Sequence, residues 1–574
     1  MSLTTDDAAA AVVRTRGLLA VLDWASGAHA RAAALLVAFA LVAFLPGFFQ
    51  IPPVDRDEAR FAQATKQMLE SGQYVDIRFQ NEVRYKKPVG IYWLQAAAIE
   101  LGEAAGVPEA RTTIWLYRLP SLLGAIGAVL LTYWAALAFV SRRTALVAAL
   151  MMASSILLGV EARLAKTDAV LLFTCVAAMG AMARIYLAQR RAPDEPSGWR
   201  EPAILWTAMA GGVLVKGPLI IMFVGLTALA LSILDRSVRW LRALRPAAGL
   251  AWMIALIAPW FAAIVAKSGT KFFTDALGHD MLAKVAGAQE AHGAPPGYYL
   301  LLFFITFWPG AVLAGLAAPR VWQARREPGA QFLLAWLIPS WLVFEAAMTK
   351  LPHYVLPLYP AVAILIAGIL ERGGLVKNRW MVRGTVGWFL FPGLMALAII
   401  AGFLFIGRDL GLIAWPFAAA AAVLGLFAWW LYEVDGAERS LLRGMLASVF
   451  VAVAVYAITF PSLPLLFPSA MIADDLHATG CREPRVVSTY YYQEPSLVFL
   501  LGTDTGFTDG AGAAQFLNGG ACRFALIDAH SERSFVQRAN ALGLRYVLAD
   551  RVDGFNISIG RPVSLAVFRS MSEP

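Results

Sequence analysis

Long apolar runs separated by short polar segments fill most of this sequence. A helix of about 20 apolar residues crosses a bilayer. Windows of that kind, thirteen in all, are centred near residues 41, 125, 152, 177, 209, 226, 257, 309, 339, 362, 395, 421 and 454. The pattern predicts an all-α, polytopic membrane domain over residues 1–467, with about 13 transmembrane helices.

Beyond residue 467 the apolar runs shorten to the length of β-strands. They are "PRVVSTYYY", "SLVFLL", "RFALID", "RYVLAD" and "VSLAVF". The intervening segment "SERSFVQRANALG" starts with a serine cap and ends in glycine, which are helix signals. This alternation of strands and helix predicts a small α/β domain over residues 468–574.

Composition and charge agree with a membrane protein. The chain is 59% hydrophobic and 15% charged, with a mean hydropathy of +0.63, which excludes an ordinary soluble domain. The net charge is +9, but the basic residues concentrate in alternate short loops, as at Arg142–Arg143 and Arg190–Arg191. This positive-inside pattern accounts for the excess charge, so no nucleic-acid partner is expected.

The same charge pattern sets the expected topology. With the N-terminus inside, the external segments are residues 52–111, 160–168, 267–297, 349–354 and those from about 468. Residues 1–30 lack the compact apolar core of a cleavable signal peptide, so the first span is expected to direct insertion.

Three cysteines are present, and Cys175 lies inside a predicted span. Cys481 and Cys522 both fall in the external C-terminal segment. We therefore expect them to form a disulfide in an oxidising periplasm, with two unpaired buried cysteines as the alternative.

The first external segment is rich in charge and has helical periodicity. In "VDRDEARFAQATKQMLE" the spacing places Phe61, Ala64, Met68 and Leu69 on one face of a helix over residues 58–70. A second helix is predicted from Pro88, since proline favours the first helical position. We expect both helices to lie along the membrane surface.

The acids at the start of this loop have two interpretations. Asp55-x-x-Glu58 fits a capping box, which would be a purely structural role. Arg84, Lys86 and Lys87 precede the second helix, where cations oppose the helix dipole. Basic side chains beside free backbone N–H groups favour an anion such as phosphate; a solvated turn or a lipid-headgroup contact is the alternative.

Further ionisable residues recur at the same membrane face. They are Glu161, Arg163, Lys166 and Asp168 at the mouth of the predicted fourth span, Lys216 in a tight external turn, His279, Asp280 and Lys284, and finally Lys350, His353 and Tyr354. Each could be a snorkelling charge by itself. Together they predict one external polar cavity with carboxylates and many cations, suited to a polyanionic lipid substrate.

At this point the residues resemble a known family. "VDRDEARFAQATKQMLESGQYV", "RYKKPVGIYWLQA", "RLAKTDAVLLF", "VKGPL" and "TKLPHYVLPLYP" occur in the order and at separations similar to those of bacterial membrane glycosyltransferases with the GT-C fold. The resemblance covers roughly residues 40–370. It points to the undecaprenyl-phosphate aminoarabinose transferases of lipid A and the related protein-mannosyltransferase-like enzymes.

The resemblance implies roles for individual residues. Asp57, Glu58 and Arg60 fall on the Asp-Glu-x-Arg motif of the family, with Asp55 just before it, and Lys87 falls on the lysine taken to hold the lipid phosphate. The implied catalytic residues are Asp55, Asp57, Glu58 and Asp168. The implied substrate-binding residues are Arg60, Arg84, Lys86, Lys87, Arg163, Lys216, Lys284, Lys350, His353 and Tyr354. Lys86 and Phe61 depart from the family pattern, which has Glu and Tyr there.

The implied reaction moves a sugar, 4-amino-4-deoxy-L-arabinose, from undecaprenyl phosphate to a lipid A phosphate, with inversion at the anomeric carbon. The enzyme is expected to be a monomer in the bacterial inner membrane, among membrane lipids, with its site facing the periplasm. A protein hydroxyl or another glycan is the alternative acceptor. A lipid-linked sugar flippase is a third hypothesis, disfavoured because the charges cluster at one face and not at the midplane.

A metal is considered separately. No cofactor is expected to be required, although a divalent cation is possible. Its candidate ligands are Asp55 and His279, together with Asp57 and Glu58, which are hard or borderline donors on one face.

Overall fold

The structure of the protein is a computed structural model. It describes residues 17–192, 198–275, 293–407, 410–481 and 483–571. The predictions for His279, Asp280 and Lys284 lie outside the described residues.

Each of the thirteen apolar windows contains helix. The helices are His29–Phe44, Ile114–Ala136, Arg142–Ser154, Ile156–Glu161, Asp168–Arg191, Arg200–Lys216, Leu219–Asp235, Pro246–Ser268, Tyr298–Thr306, Ala311–Gln323, Pro328–Ala346, Tyr359–Glu371, Arg379–Val386, Phe391–Gly402, Trp415–Trp430 and Ala437–Ala452. Within the described residues, eight helical stretches are long and apolar enough to cross a membrane by themselves. The predicted fold class, a helical membrane region followed by a small sheet, is confirmed.

Two of the windows contain broken helices. In the third, the backbone of Ser155 is extended (φ −68°, ψ 134°) and separates Arg142–Ser154 from Ile156–Glu161. In the eighth, Pro309 lies between Tyr298–Thr306 and Ala311–Gln323, and proline cannot donate the backbone hydrogen bond that a continuous helix needs. After the first break, the short helix Ile156–Glu161 ends at Glu161, whose side chain lies near Lys166 and His353.

The first external segment forms the two predicted helices, Asp57–Ser71 and Gly90–Ala104. The residues between them form a small hairpin of β1 (Arg78–Phe79) and β2 (Glu82–Val83). Asp76 fixes this hairpin by accepting hydrogen bonds from Tyr85 Oη (2.7 Å) and Arg78 Nε (2.8 Å). Burial and the Asp76 carboxylate raise the pKa of Tyr85 to about 12.

The C-terminal residues fold into a five-stranded mixed sheet. Its strands are β3 (Arg485–Thr489), β4 (Gly506–Thr508), β5 (Arg523–Asp528), β6 (Tyr546–Asn556) and β7 (Arg561–Ser570), in the order β4-β3-β5-β7-β6. β3 pairs in parallel with β4 and β5, and β7 pairs antiparallel to β5 and β6. The associated helices are Pro468–Ala478, Pro495–Leu501, Gly510–Leu517 and Glu532–Ala541.

One predicted strand in this region is wrong. "SLVFLL" forms the helix Pro495–Leu501, because Pro495 starts a helical turn and the run is buried on all sides, so that its apolar residues show neither strand nor helix periodicity. The predicted helix in "SERSFVQRANALG" is confirmed as Glu532–Ala541. The predicted disulfide between Cys481 and Cys522 is also confirmed. It joins the segment after helix Pro468–Ala478 to the residue before β5.

Candidate active site

Three chain segments bring five ionisable side chains together at one end of the helical region. The acid–lysine cluster consists of Glu161, Lys166, Asp168, Lys216 and His353. Lys166 Nζ lies 3.2 Å from Glu161 Oε1 and 3.9 Å from Asp168 Oδ2. Lys216 forms an ion pair with Asp168. The two ring nitrogens of His353 each lie 3.7 Å from a carboxylate oxygen, one on Glu161 and one on Asp168.

Helix ends explain why the sequence places these charges here. Asp168 is the first residue of Asp168–Arg191, where the helix dipole favours an acid, and Lys216 is the last residue of Arg200–Lys216, where it favours a cation. The antiparallel arrangement of these two adjacent helices brings the favourable ends together. Gly217, at φ +71°, then ends the second helix in a backbone conformation that glycine adopts easily.

The acid–lysine cluster is buried and almost balanced in charge. The side chains of Glu161, Asp168 and Lys216 are 3%, 3% and 6% exposed. Buried ions are costly unless they are paired, and each acid here has a lysine partner. Among the described residues, the buried Oε2 of Glu161 has no hydrogen-bond partner, so the cluster contains one unsatisfied acceptor.

The first loop reaches this cluster through Asp57 and Lys87. Asp57 is exposed at the start of Asp57–Ser71 and lies within electrostatic range of Lys166. Lys87 is half-buried just before Gly90–Ala104 and lies within electrostatic range of His353. The structure therefore brings Asp57, Lys87, Asp168, Lys216 and His353 of the predicted site into one region.

One further predicted substrate-binding residue contacts the acid–lysine cluster, and three lie on or beside the first-loop helices. Tyr354 packs its ring 5.8 Å from Lys216 Nζ, and Arg84 lies over the ring of Phe61 at 5.3 Å. Lys86 is exposed and Arg60 is half-buried.

Asp55 lies elsewhere, against the C-terminal sheet region. Its carboxylate accepts hydrogen bonds from the backbone N–H of Ser496 (2.8 Å) and from Ser496 Oγ (2.6 Å). Burial, together with the neighbouring Glu494 carboxylate, raises the pKa of Asp55 from 3.8 to about 7, against the opposing effect of the Ser496 hydrogen bonds. Both of its oxygens are therefore engaged away from the acid–lysine cluster.

Glu58 is engaged by the structural framework of the protein. Arg118, which is fully buried, donates to both of its carboxylate oxygens at 2.8 and 2.9 Å. The backbone N–H groups of Val54 and Ala165 donate to the same carboxylate, each at 2.8 Å. These contacts are those of a structural ion pair, and they leave Glu58 no oxygen for a reacting group.

Arg163 and Lys350 also bond to backbone carbonyl groups. Arg163 donates to the carbonyls of Pro46, Gly159 and Ala43, so it closes the end of His29–Phe44. Lys350 Nζ donates to the carbonyls of Glu345 (2.8 Å) and Ala347 (2.6 Å), which end the helix Pro328–Ala346. Cations at helix C-termini stabilise the helix dipole, which gives both residues a structural role.

A metal fits this region poorly. Ligand atoms of Glu161, Asp168 and His353 lie within 4.8 Å of one another. A divalent cation there would have to displace Lys166 and Lys216, which already neutralise the two acids. Of the two metal ligands predicted from sequence, Asp55 bonds Ser496, and His279 lies outside the described residues.

Sequence reasoning missed three contributors. Glu161 and Lys166 were noted as charges but given no role, and the extended break at Ser155 that positions them has no strong sequence signal. Arg118 was not singled out, although an arginine inside the apolar run Ile114–Ala136 is a detectable sign of a buried partner.

Comparisons with known proteins agree with this architecture. Residues 34–265 match the sequence model of a family described as dolichyl-phosphate-mannose-protein mannosyltransferase. Two relatives from Pseudomonas aeruginosa are named undecaprenyl phosphate-alpha-4-amino-4-deoxy-L-arabinose arabinosyl transferase. They are 29% identical over 372 residues (strain LESB58) and 30% identical over 373 residues (strain UCBPP-PA14). Each alignment covers 63% of this chain, and the chain spans 64% of the length of these relatives.

The solved structures give a likeness over nearly the whole chain. Crystal structures of ArnT from Cupriavidus metallidurans, in the apo state and bound to undecaprenyl phosphate, both superpose with a TM-score of 0.70. They cover 94% of this chain and 98% and 99% of theirs, at 19% and 20% sequence identity. The protein is thus a multi-pass membrane protein with the GT-C glycosyltransferase fold, close in sequence and structure to the bacterial undecaprenyl-phosphate aminoarabinose transferases.

Proposed function

We propose that the protein transfers 4-amino-4-deoxy-L-arabinose from undecaprenyl phosphate to a phosphate group of lipid A. The observation that carries the proposal is the buried acid–lysine cluster, with Asp57 and Lys87 of the first loop beside it. The names of the relatives and the lipid bound to the Cupriavidus protein support this choice of donor, sugar and acceptor.

The departing phosphate of the donor requires positive charge. Lys87 is the central candidate, with Lys86 and Arg84 on the same connecting segment. The backbone N–H groups at the start of Gly90–Ala104 add donors and a favourable dipole. Cationic groups fixed around a leaving phosphate stabilise the charge that develops as the glycosidic bond breaks.

The acceptor requires less help. The second pKa of a phosphate monoester is about 6, so the phosphate is largely in its doubly ionised form at neutral pH and is already a nucleophile. Asp57 is proposed to orient the acceptor or to stabilise the developing positive charge on the sugar. The unsatisfied Oε2 of Glu161 offers an acceptor for the ammonium group of the amino sugar.

The proposed site faces the periplasm. The helices that bear Asp168 and Lys216 at one end carry Arg190, Arg191 and Arg200 at the other. Basic ends remain in the cytoplasm by the positive-inside rule, which leaves the cluster on the opposite side of the membrane.

A protein hydroxyl is the second candidate acceptor. The match of residues 34–265 to the protein mannosyltransferase family favours it. A serine or threonine hydroxyl needs a general base, worth roughly 10²- to 10⁴-fold in rate, and exposed Asp57 would have to supply it. The two acceptors therefore predict different requirements at Asp57: base catalysis for a hydroxyl, and orientation for a phosphate.

The test uses purified protein with lipid A and undecaprenyl-phosphate aminoarabinose. Mass spectrometry should detect added aminoarabinose on lipid A. Lys87→Ala should lose transfer, and Lys87→Arg should keep a part of it, because arginine still carries the charge. Lys267→Ala is the matched control, since Lys267 is exposed and bonds Gln73 away from the cluster.

The outcomes separate the hypotheses. Transfer by Lys87→Ala at the wild-type rate would refute the phosphate site. Intact protein that modifies a serine-containing peptide but not lipid A would establish the second acceptor. Movement of the lipid-linked sugar across a vesicle membrane without transfer would establish a flippase.

A further inference from the structure

The C-terminal sheet region is held directly against the first loop. Its helix Pro495–Leu501 packs along Asp57–Ser71. Lys66 Nζ donates to the carbonyl of Phe499 at 2.8 Å, and Gln63 Nε2 donates to Thr503 Oγ1 at 2.7 Å. These contacts join residues more than 400 positions apart in the chain.

One aromatic side chain anchors this contact. Phe499 is fully buried, and its ring meets that of Tyr117 at 5.2 Å between centroids. It shares a core with Ala62 of the first-loop helix and Ile99 of the second. The C-terminal region therefore contributes a side chain to the core that lies beneath the loop.

A series of hydrogen-bonded hydroxyl groups connects the C-terminal region to Asp55 in the first loop. Tyr492 Oη lies 2.7 Å from Ser469 Oγ, and Ser469 Oγ lies 2.6 Å from Ser496 Oγ. Ser496 Oγ and the Ser496 backbone N–H donate to the two oxygens of Asp55. Asp55 thus caps the first turn of Pro495–Leu501 from another part of the chain, as a residue of the helix itself would normally do.

The capping residue, Asp55, is two positions before Asp57. Because Asp57 begins the helix that Lys66 and Gln63 also hold, any displacement of this helix moves the Asp57 carboxylate relative to Lys166. We propose that the C-terminal sheet region is a positioning element, which holds Asp55 through Ser496 and thereby fixes Asp57 beside the acid–lysine cluster. Its effect on catalysis rests on the proposed function, whereas the docking contact itself does not.

The charges around Asp55 give this contact a pH dependence. Glu494 repels the Asp55 carboxylate, Arg60 attracts it, the Tyr492 hydroxyl lies nearby, and Arg56 lies 3.7 Å from Glu494. Burial in this contact and the Glu494 carboxylate raise the pKa of Asp55 from its ordinary 3.8 to about 7, so the contact favours the protonated acid. Docking is therefore strongest below pH 3.8 and weakens as the pH rises through about 7.

The experiment measures hydrogen exchange of residues 54–71 in the full-length protein, together with transfer kinetics. Ser496→Ala should raise exchange of this segment about tenfold, because it removes a buried hydrogen bond to Asp55. It should lower kcat while leaving KM for the donor nearly unchanged. Ser534→Ala is the matched control, since Ser534 is an exposed serine of the same region with a local hydrogen bond only.

Substitutions at Asp55 test the pH dependence. Protection of residues 54–71 in the wild-type protein, corrected for intrinsic exchange, should fall as the pH rises from 3.8 to about 7. Asp55→Asn should keep the hydrogen bond from the Ser496 N–H and remove this fall, whereas Asp55→Ala should lose protection at every pH.

Unchanged exchange in both Ser496→Ala and Asp55→Ala would overturn the proposal. Loosened docking with a wild-type kcat would overturn the positioning role. Exchange reports docking even for a protein that shows no transfer, so failure of the proposed function and failure of the positioning role are distinguishable.

Discussion

At the scale of single residues, the contacts of each acid separate roles that the motif "DRDE" leaves together. Asp55 bonds Ser496, Glu58 bonds Arg118, and only Asp57 is exposed and within electrostatic range of Lys166 in the acid–lysine cluster. Sequence alone could not make this distinction, because the partners lie 60 residues away for Glu58 and 441 away for Asp55. Asp55 does cap a helix, as the capping interpretation predicts, but that helix is Pro495–Leu501 and not the first-loop helix that begins at Asp57.

The Arg118–Glu58 pair provides a stability test. Arg118→Met should lower the free energy of unfolding by about 3–5 kcal/mol, because it leaves a buried carboxylate without its cation. Arg111→Met is the control, since Arg111 bonds Glu103 at 2.7 Å with side chains 46% and 37% exposed. Its loss should stay within about 1 kcal/mol. Reversible unfolding in mixed micelles measures both, and equal losses would contradict a buried structural role.

The acid–lysine cluster makes a prediction about metals. Because lysines already neutralise Glu161 and Asp168, we expect transfer to proceed at the same rate after treatment with EDTA. The measurement is the initial rate of sugar addition to lipid A before and after chelation. A loss of activity that Mn²⁺ or Mg²⁺ restores would show that a cation displaces the lysines during the reaction.

At the scale of elements, hydrophobic periodicity was sufficient to locate the helices but not their ends or interruptions. The apolar windows and the two first-loop helices follow directly from spacing. Two features did not: the break at Ser155 and the helical state of "SLVFLL". Both depend on tertiary packing, which decides between helix and strand for short apolar runs.

A substitution at Gly90 tests whether the close contact between helices Gly90–Ala104 and Arg200–Lys216 is needed for activity. A Cβ at this position would lie 2.8 Å from the carbonyl oxygen of Leu214, so Gly90→Ala should push the helix behind Lys87 away from Arg200–Lys216. We expect kcat/KM for the donor to fall about tenfold, since small displacements of binding groups are costly. Gly225→Ala should have no effect, because Gly225 is a helical glycine with nothing within 4 Å. Equal kinetics for the two variants would argue against this close packing.

At the scale of the whole molecule, two groups of helix ends define the orientation and the site. Arginines gather at one end of the membrane helices, and the acid–lysine cluster lies at the other. The C-terminal sheet region lies against the first loop on the cluster side, through Ser496 and Phe499. The sequence predicted the helical membrane region, the C-terminal α/β region and the disulfide. It could not predict the contacts between the C-terminal region and the first loop, because hydrophobic periodicity reports only local structure.

The most direct test of the central claim is a comparison of transfer rates for Asp57→Asn and Asp55→Asn. The substitutions are chemically identical and lie two residues apart. We expect Asp57→Asn to lose transfer by about 10²-fold or more with normal protection of residues 54–71, because it removes the charge that orients the acceptor or stabilises the developing positive charge on the sugar. Asp55→Asn should stay within a few-fold of wild type near neutral pH, because it keeps its hydrogen bond from Ser496. Loss of transfer in Asp55→Asn with retention in Asp57→Asn would contradict the account and would move the reacting centre to the junction with the C-terminal region.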